Sequence, residues 1–408
     1  MRVLWVCHFL PFPATGHGAL QRTHQLLVRT ARRHEVGVIA FARAETAAER
    51  ETIERARSEL APDLAFLDVV PLVSGALQRW RIAAAMRALV SPASFWELWF
   101  DRRAARSAVT ERQRSFRPDV VHLDTVLLAP YLKQLTTEPT IVTHHNIESD
   151  LLADRASVMP RATRWYMARE AAKVAVRERA VAPRVSANVV VSADDGTRLR
   201  ELAPTARTVV VPNGVDTDFF RMDPGMDARE RSLVFAGGMD WYPNRIAMEW
   251  LANEVWPVLV RDRPDRTLTV IGKAPPPALV ALGESDSRVR VTGFVPDVRP
   301  YVLQSAIYLC PIHVGGGTRL KVLDALAMGR PLVSTGVGVS GLGLRDGIEY
   351  LRAETAEDFA RCVRRLEDDS ELRASLASAG RMVVTSRFAW DRVEGVFVDC
   401  LEAASSPH

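Results

Sequence analysis

The chain has 408 residues, 48% of them hydrophobic and 25% charged. That is the balance of an ordinary globular protein, and it excludes a disordered, collagen-like or coiled-coil chain. At about 150 residues per domain the length calls for two or three domains, and a net charge of +4 is too weak to point to nucleic acid.

Strands are predicted at 3–7, 36–41, 65–70, 119–123, 139–144, 188–192 and 208–211, then at 232–236, 267–271, 289–292, 307–311, 331–334 and 348–351. Helical stretches alternate with them. Continuous apolar runs such as Val189-Val190-Val191 suit parallel strands covered on both faces. About thirteen strands are too many for one small sheet, so two doubly wound α/β sheets are expected. The polar segment 218–231, with Pro224-Gly225, marks the boundary between an N-terminal domain, 1–220, and a second domain, 231–385. Residues 386–408 carry a last helix around 389–403. No repeat of 20–50 residues is apparent, which argues against a solenoid. Ligands of open α/β sheets bind beyond the carboxyl ends of the strands, so two facing sheets would put a site in the cleft between them.

Motifs follow in chain order. After the first strand, Gly16 and Gly18 precede a helix with Leu20, Leu27 and Ala31 inward. They could expose amides at its start, or simply make a flexible loop. Residues 72–117 hold nine arginines against three acids, interleaved with Trp80, Phe95, Trp96, Trp99 and Phe100. The pattern fits core aromatics on solvated helices, or a peripheral membrane or acidic-partner surface. His144-His145 closes a strand, and alternation sends the two side chains to opposite sides. Asp216-Thr217-Asp218 has the form of a metal-binding DxD but sits in a turn begun by Asn213-Gly214, where Asp often bonds backbone.

The most informative stretch is 311–335. Gly315-Gly316-Gly317 lets backbone amides approach a ligand, Thr318 is the expected N-cap of a helix running to Met328, and Arg319 and Lys321 fall in its first turn. Cations there oppose the helix dipole unless an anion is bound. Glycine amides, a helix N-terminus and two cations describe a phosphate site. The alternative is a surface turn with a Lys321–Asp324 pair. Gly336-Val-Gly-Val-Ser-Gly341 matches GxGxxG but precedes no long helix and lies far from the N-terminal βαβ unit, which argues against NAD.

Residues 212–220 (Pro-Asn-Gly-Val-Asp-Thr-Asp-Phe-Phe), 293–298 (Gly-Phe-Val-Pro-Asp-Val) and 323–333 (Leu-Asp-Ala-Leu-Ala-Met-Gly-Arg-Pro-Leu-Val) together resemble the GT-B-fold, family-4-type (group 1) retaining glycosyltransferases. Residues 237–244 and 315–324 resemble the subgroup tied to exopolysaccharide clusters. The likeness covers residues 1 to about 400 and is most specific over 208–335. It implies two facing Rossmann-like domains, the acceptor mainly in the first and the nucleotide sugar mainly in the second, with the terminal helix returning to the first. By resemblance, Asp324 stands at the second glutamate of the family's E-x7-E motif, which holds the donor ribose, and Gly316 stands at the first. The family's arginine and lysine after the first strand of the second domain fall on Gly238 and Pro243. With those charges missing, Arg319 and Lys321 are expected to take over the diphosphate. His145 matches the histidine near the donor, Gly18 the glycine-rich donor loop, and Gly293 and Phe294 the backbone contacts to the base. The catalytic set is thus His145, Arg319 and Lys321. The donor-binding set is Gly16, Gly18, Gly238, Gly293, Phe294, Gly316, Gly317, Thr318 and Asp324.

The activity implied is metal-independent, cofactor-free hexosyl transfer from a nucleotide-diphosphate sugar to a hydroxyl acceptor, either a lipid-linked saccharide or a natural-product aglycone. A nucleotide-sugar epimerase, a phosphorylase or a noncatalytic nucleotide-sugar-binding protein of the same fold stands as the alternative. The scattered cysteines Cys7, Cys310, Cys362 and Cys400 form no CxxC pair and read as buried thiols of a reducing compartment. No apolar run reaches the ~18 residues of a membrane span, and residues 3–7 are too short for a signal-peptide core. The expected location is the cytoplasm, with 72–117 a candidate for peripheral contact with the inner face of the cell membrane.

Overall fold

The computed structural model describes residues 1–13, 18–72, 77–135, 138–223, 225–226 and 228–406, without the side chains of 77–80 and 162. The chain divides into two compact units, residues 1–212 with 393–408, and residues 213–392.

The first unit is built on seven strands: β1 (Arg2–Cys7), β2 (Glu35–Arg43), β3 (Phe66–Leu72), β4 (Val120–Leu123), β5 (Thr140–His144), β6 (Ala187–Val190) and β7 (Thr208–Val210). They pair in the order β3-β2-β1-β4-β5-β6-β7, every pair parallel. From Val3 to Cys7 every side chain of β1 is fully buried, as a central strand with helices on both faces requires. The helix Gly18–Ala31 buries Arg22, Thr23, Leu26, Leu27 and Thr30. Leu27 is thus inward as expected, whereas Leu20 and Ala31 are only half-buried.

The second unit has six strands: β8 (Arg229–Ala236), β9 (Thr267–Ile271), β10 (Val289–Val291), β11 (Ser305–Cys310), β12 (Leu332–Ser334) and β13 (Leu351–Arg352). Their order is β10-β9-β8-β11-β12-β13, again all parallel. Each strand expected from the apolar runs has its counterpart. The last begins later than expected because residues 345–349 curl into a turn, with Arg345 N donating to Glu349 Oε2 at 2.7 Å.

The division between the units also falls earlier than the polar segment 218–231. Val215 N donates to Phe388 O at 2.8 Å, Trp390 N to Val215 O at 3.3 Å, and Asn213 Nδ2 to Thr318 Oγ1 at 2.5 Å. These bonds tie 213–215 into the second unit, and the Trp390 ring lies against Gly214. The last helix, Trp390–Ser405, starts in the second unit and from Val393 belongs to the first. There Phe397 packs on Trp5 and His122, with ring centroids 5.4 and 5.2 Å away.

The stretch 72–117 corrects part of the sequence reading. Trp99 and Phe100 are each 6% exposed, and Phe95 and Trp96 pack against the same core, so these aromatics are not a surface patch. The side chain of Trp80 lies outside the described residues. Among the described residues no helix is long and apolar enough to cross a membrane.

Candidate functional site

Each sheet reverses its strand order once, between β1 and β4 in the first unit and between β8 and β11 in the second. Such switch points open a crevice beyond the strands' carboxyl ends.

In the first unit His8 follows β1, Asp124 follows β4 and His145 follows β5. The Asp124 carboxylate is 1% exposed. Thr23 Oγ1 donates to its Oδ2 at 3.0 Å. His145 Nε2 lies 3.3 Å and His8 Nδ1 3.7 Å from the same oxygen. Burial alone would lift the Asp124 carboxyl, but the charges of His145 and His8 overturn that and hold it below the usual carboxylate range. Asp124 is the residue that motif reading missed. The signal was present: an acid closing the apolar run Val120-Val-His-Leu-Asp124, the same strand-end position that singled out His145.

The neighbouring His144 has a different task. It is buried, and its Nε2 lies 3.1 Å from Asn188 Oδ1. Asn188 Nδ2 donates to Ala182 O and Arg207 O, so Oδ1 must accept and the His144 proton sits on Nε2. Burial pushes this imidazole down to about 4. Gly18 opens its helix and is exposed, and Gly16 lies outside the described residues.

The second unit brings Gly237, Gly238, Asn244 and Lys321 together. Lys321 Nζ donates to Asn244 Oδ1 at 2.5 Å, and Asn244 Nδ2 to Gly238 O at 2.6 Å. The ammonium sits 4.6 Å from the centre of the Phe235 ring. A Cβ on Gly237 would fall 2.4 Å from Nζ, so only glycine leaves room for the amine. Burial lowers the Lys321 amine to about 8, and burial raises the Asp324 carboxyl, one helical turn on, to about 8. The amine turns to Asn244 and not to Asp324, so the surface-pair alternative falls away.

Arg319 and Thr318 depart from expectation. The helix is Leu320–Ala327, and Arg319 rather than Thr318 is its N-cap residue. The Arg319 guanidinium folds back, Nη1 donating to Gly316 O and Nη2 to Gly315 O, each at 2.5 Å. It binds its own glycine loop, and Thr318 accepts from Asn213. Gly315 and Gly317 adopt φ of +90° and +77°, where L side chains are strained. Nothing stands within 4 Å of a Cβ placed on Gly316 or Gly293, and Phe294 is 74% exposed.

The other motifs are absorbed by the fold. Asp216 Oδ1 accepts from the backbone of Asp218 and Phe219, a turn-forming role. Residues 337–339 make one short 3-10 turn. Arg22 donates to Val211 O and Pro212 O. Among the described residues no group of three or more His, Cys, Asp or Glu is placed to hold a metal.

Residues 17–219 match the family described as Glycosyltransferase Family 4, and residues 230–369 match Glycosyl transferases group 1. The chain belongs to these glycosyltransferases. The glycosyltransferase is 26% identical over 142 residues to an uncharacterized 44.6 kDa protein in the cps region of Klebsiella pneumoniae, a match covering 33% of this chain and 37% of that protein. Among solved structures it is similar to sucrose-phosphate synthase from Thermosynechococcus elongatus, with TM-score 0.73 and 17% identity over 99% of this chain and 100% of that one. HepE of Anabaena in complex with UDP gives TM-score 0.68 and 15% identity over 99% and 100%. The same protein in complex with UDP-glucose gives 0.64 and 14% over 99% and 100%. At such identities the likeness is one of fold, and it makes the glycosyltransferase a GT-B protein of two parallel-sheet Rossmann-like domains.

Proposed function

We propose that the glycosyltransferase moves a hexosyl group from a nucleoside diphosphate sugar to an acceptor hydroxyl, with retention and without a metal, in saccharide or glycoconjugate assembly. The observation that carries this is Lys321. It is a half-buried cation beyond the carboxyl end of β8, next to the positions Gly238 and Pro243 that lack the charges the resemblance predicts. As the C1–O bond to the diphosphate loosens, negative charge gathers on the leaving oxygens, and a preorganised ammonium stabilises it. The acceptor oxygen forms the new bond to C1, and its proton passes to the departing phosphate, so no side-chain base is needed.

Asp324 is the candidate partner of the ribose hydroxyls, and Gly293 and Phe294 of the base. His145, held by Asp124, is the candidate contact to the donor sugar. The UDP and UDP-glucose complexes of HepE favour a uridine donor, and the cps-region relative favours a saccharide product. The four free, buried cysteines fit a reducing compartment, the cytoplasm.

The test is incubation with UDP-, GDP-, ADP- and dTDP-sugars, with and without EDTA, following nucleotide release. One nucleoside diphosphate should appear, undiminished by EDTA. Lys321→Ala should lower kcat/KM by roughly 2–4 kcal/mol in transition-state terms, the scale of one preorganised donor. Release that needs Mn²⁺, or that survives Lys321→Ala unchanged, rejects the reading. Binding of a nucleotide sugar with no turnover would favour a noncatalytic binder, a reading supported by the glycine at 316 where the resemblance predicts a glutamate.

A further inference from the structure

We propose that the first unit docks on an anionic lipid surface through the outer faces of the helices Leu77–Val90 and Arg161–Val181. The helix Leu77–Val90 is inside out. It turns Ala84 and Ala88 into the fold, at 1% and 0% exposure, and leaves Ile82, Met86 and Val90 outside at 59%, 60% and 88%. These three recur every fourth residue and so form one stripe. A helix shaped only by its own core buries its larger apolar side chains and faces solvent with polar ones. Here Ile82, Met86 and Val90 stay mostly exposed, while Leu89 is half-buried.

The second helix continues the pattern. Trp165 and Val176 are 62% and 63% exposed on it. The two helices are fixed to each other: Arg169 Nη2 donates to Leu89 O at 2.9 Å, and Lys173 Nζ donates to Ala88 O.

Charge selects the occupant. Arg81, Arg87, Arg161, Arg164 and Arg169 are all exposed on these helices. Leu77–Val90 contains no acid, and the two acids of Arg161–Val181, Glu170 and Glu178, are turned inward at 2% and 0% exposure. Glu170 pairs with Lys173, and Glu178 accepts from Glu148 N and Ser149 Oγ at the start of the helix Glu148–Ser157. An exposed aliphatic stripe with a tryptophan, flanked by exposed arginines and no exposed acid on these two helices, is the chemistry of a helix lying in an anionic headgroup layer. A second copy of this chain would bring the same arginines face to face. The inference does not depend on the donor chemistry, and its failure would leave the proposed reaction standing.

The full chain is sedimented with phosphatidylcholine vesicles and with vesicles carrying about 30% phosphatidylglycerol. Binding should be at least about tenfold stronger to the anionic vesicles and should weaken by about tenfold in ~0.5 M salt. The variant Ile82→Ser/Met86→Ser/Val90→Ser should lose binding while keeping its unfolding midpoint. Should that variant fail to fold, Trp165→Ser serves in its place and should weaken binding severalfold. Absence of binding to anionic vesicles, equal binding to both kinds, or unchanged binding by the folded variant overturns the proposal. So does concentration-dependent self-association of the parent chain that the triple variant abolishes, which would assign the face to a second copy.

Discussion

Arg319 shows how a residue type legible in the sequence can make a contact that the sequence does not announce. Its place at the helix start is plain in the sequence, but the direction of its side chain is not, because that depends on three glycine conformations no periodicity reports. The fork closes on Gly315 O and Gly316 O, so it holds the loop. Arg319→Ala is expected to cost roughly 1–3 kcal/mol in urea unfolding, and Arg319→Lys to recover little because a lysine cannot bridge two carbonyls. Unchanged stability with a fall in kcat/KM would return Arg319 to the donor. His144 makes a second test at this scale. Its folded value of about 4 lies below the ordinary 6.5, so between those values the unfolded chain binds a proton that the folded chain refuses. Stability from this group is therefore complete above pH ~6.5 and is lost as pH falls toward 4, by about 2 kcal/mol between pH 7 and 5. In His144→Gln the pH 7-to-5 drop in unfolding free energy should be smaller than in the parent by that amount. Parallel slopes would show that the histidine is not buried neutral.

Elements were far more legible than side-chain directions. Apolar runs announced the strands because a parallel strand is buried on both faces, so its signal lies in composition and needs no phase. Helix faces need phase. The helix Leu77–Val90 gave none, because alanines and larger apolar residues share its turns and only the fold decides which go inward. Nor could spacing reveal that the end of the Lys321 side chain occupies the space a methyl group on Gly237 would take. Gly237→Ala should displace the Lys321 amine and lower kcat/KM by about as much as Lys321→Ala, with the secondary structure unchanged by circular dichroism. Normal turnover in Gly237→Ala would mean that the amine does not work from that position. Asp124, too, was hidden less by physics than by order: the strand-end residues His8, Asp124 and His145 lie between 21 and 137 positions apart in sequence, and become neighbours only through the parallel crossovers.

At the scale of the whole molecule the two matched families fall on the two units, residues 17–219 on the first and 230–369 on the second. The first unit is closed by the chain's last helix, where Phe397, fully buried, covers Trp5 and His122. Phe397→Ala is expected to cost about 3–5 kcal/mol, the scale of a large aromatic truncated in a core. The loss should appear in the unfolding of the first unit, followed by hydrogen exchange at β1 and β4. Unaltered protection there would mean that the helix is an ornament on the unit and not part of it.

That closure has a consequence for synthesis. The ribosome makes residues 1–212, then all of residues 213–392, and only then the segment from Val393 that completes the first unit. At roughly 5–20 residues per second the nascent first unit waits on the order of ten to forty seconds with the face of Trp5 uncovered. Its seven strands can pair in that interval, but their last covering layer is still being translated. Release of a finished first domain ahead of the second is therefore closed to this chain, and a prematurely terminated product would expose to chaperones and proteases the patch that Phe397 would have sealed.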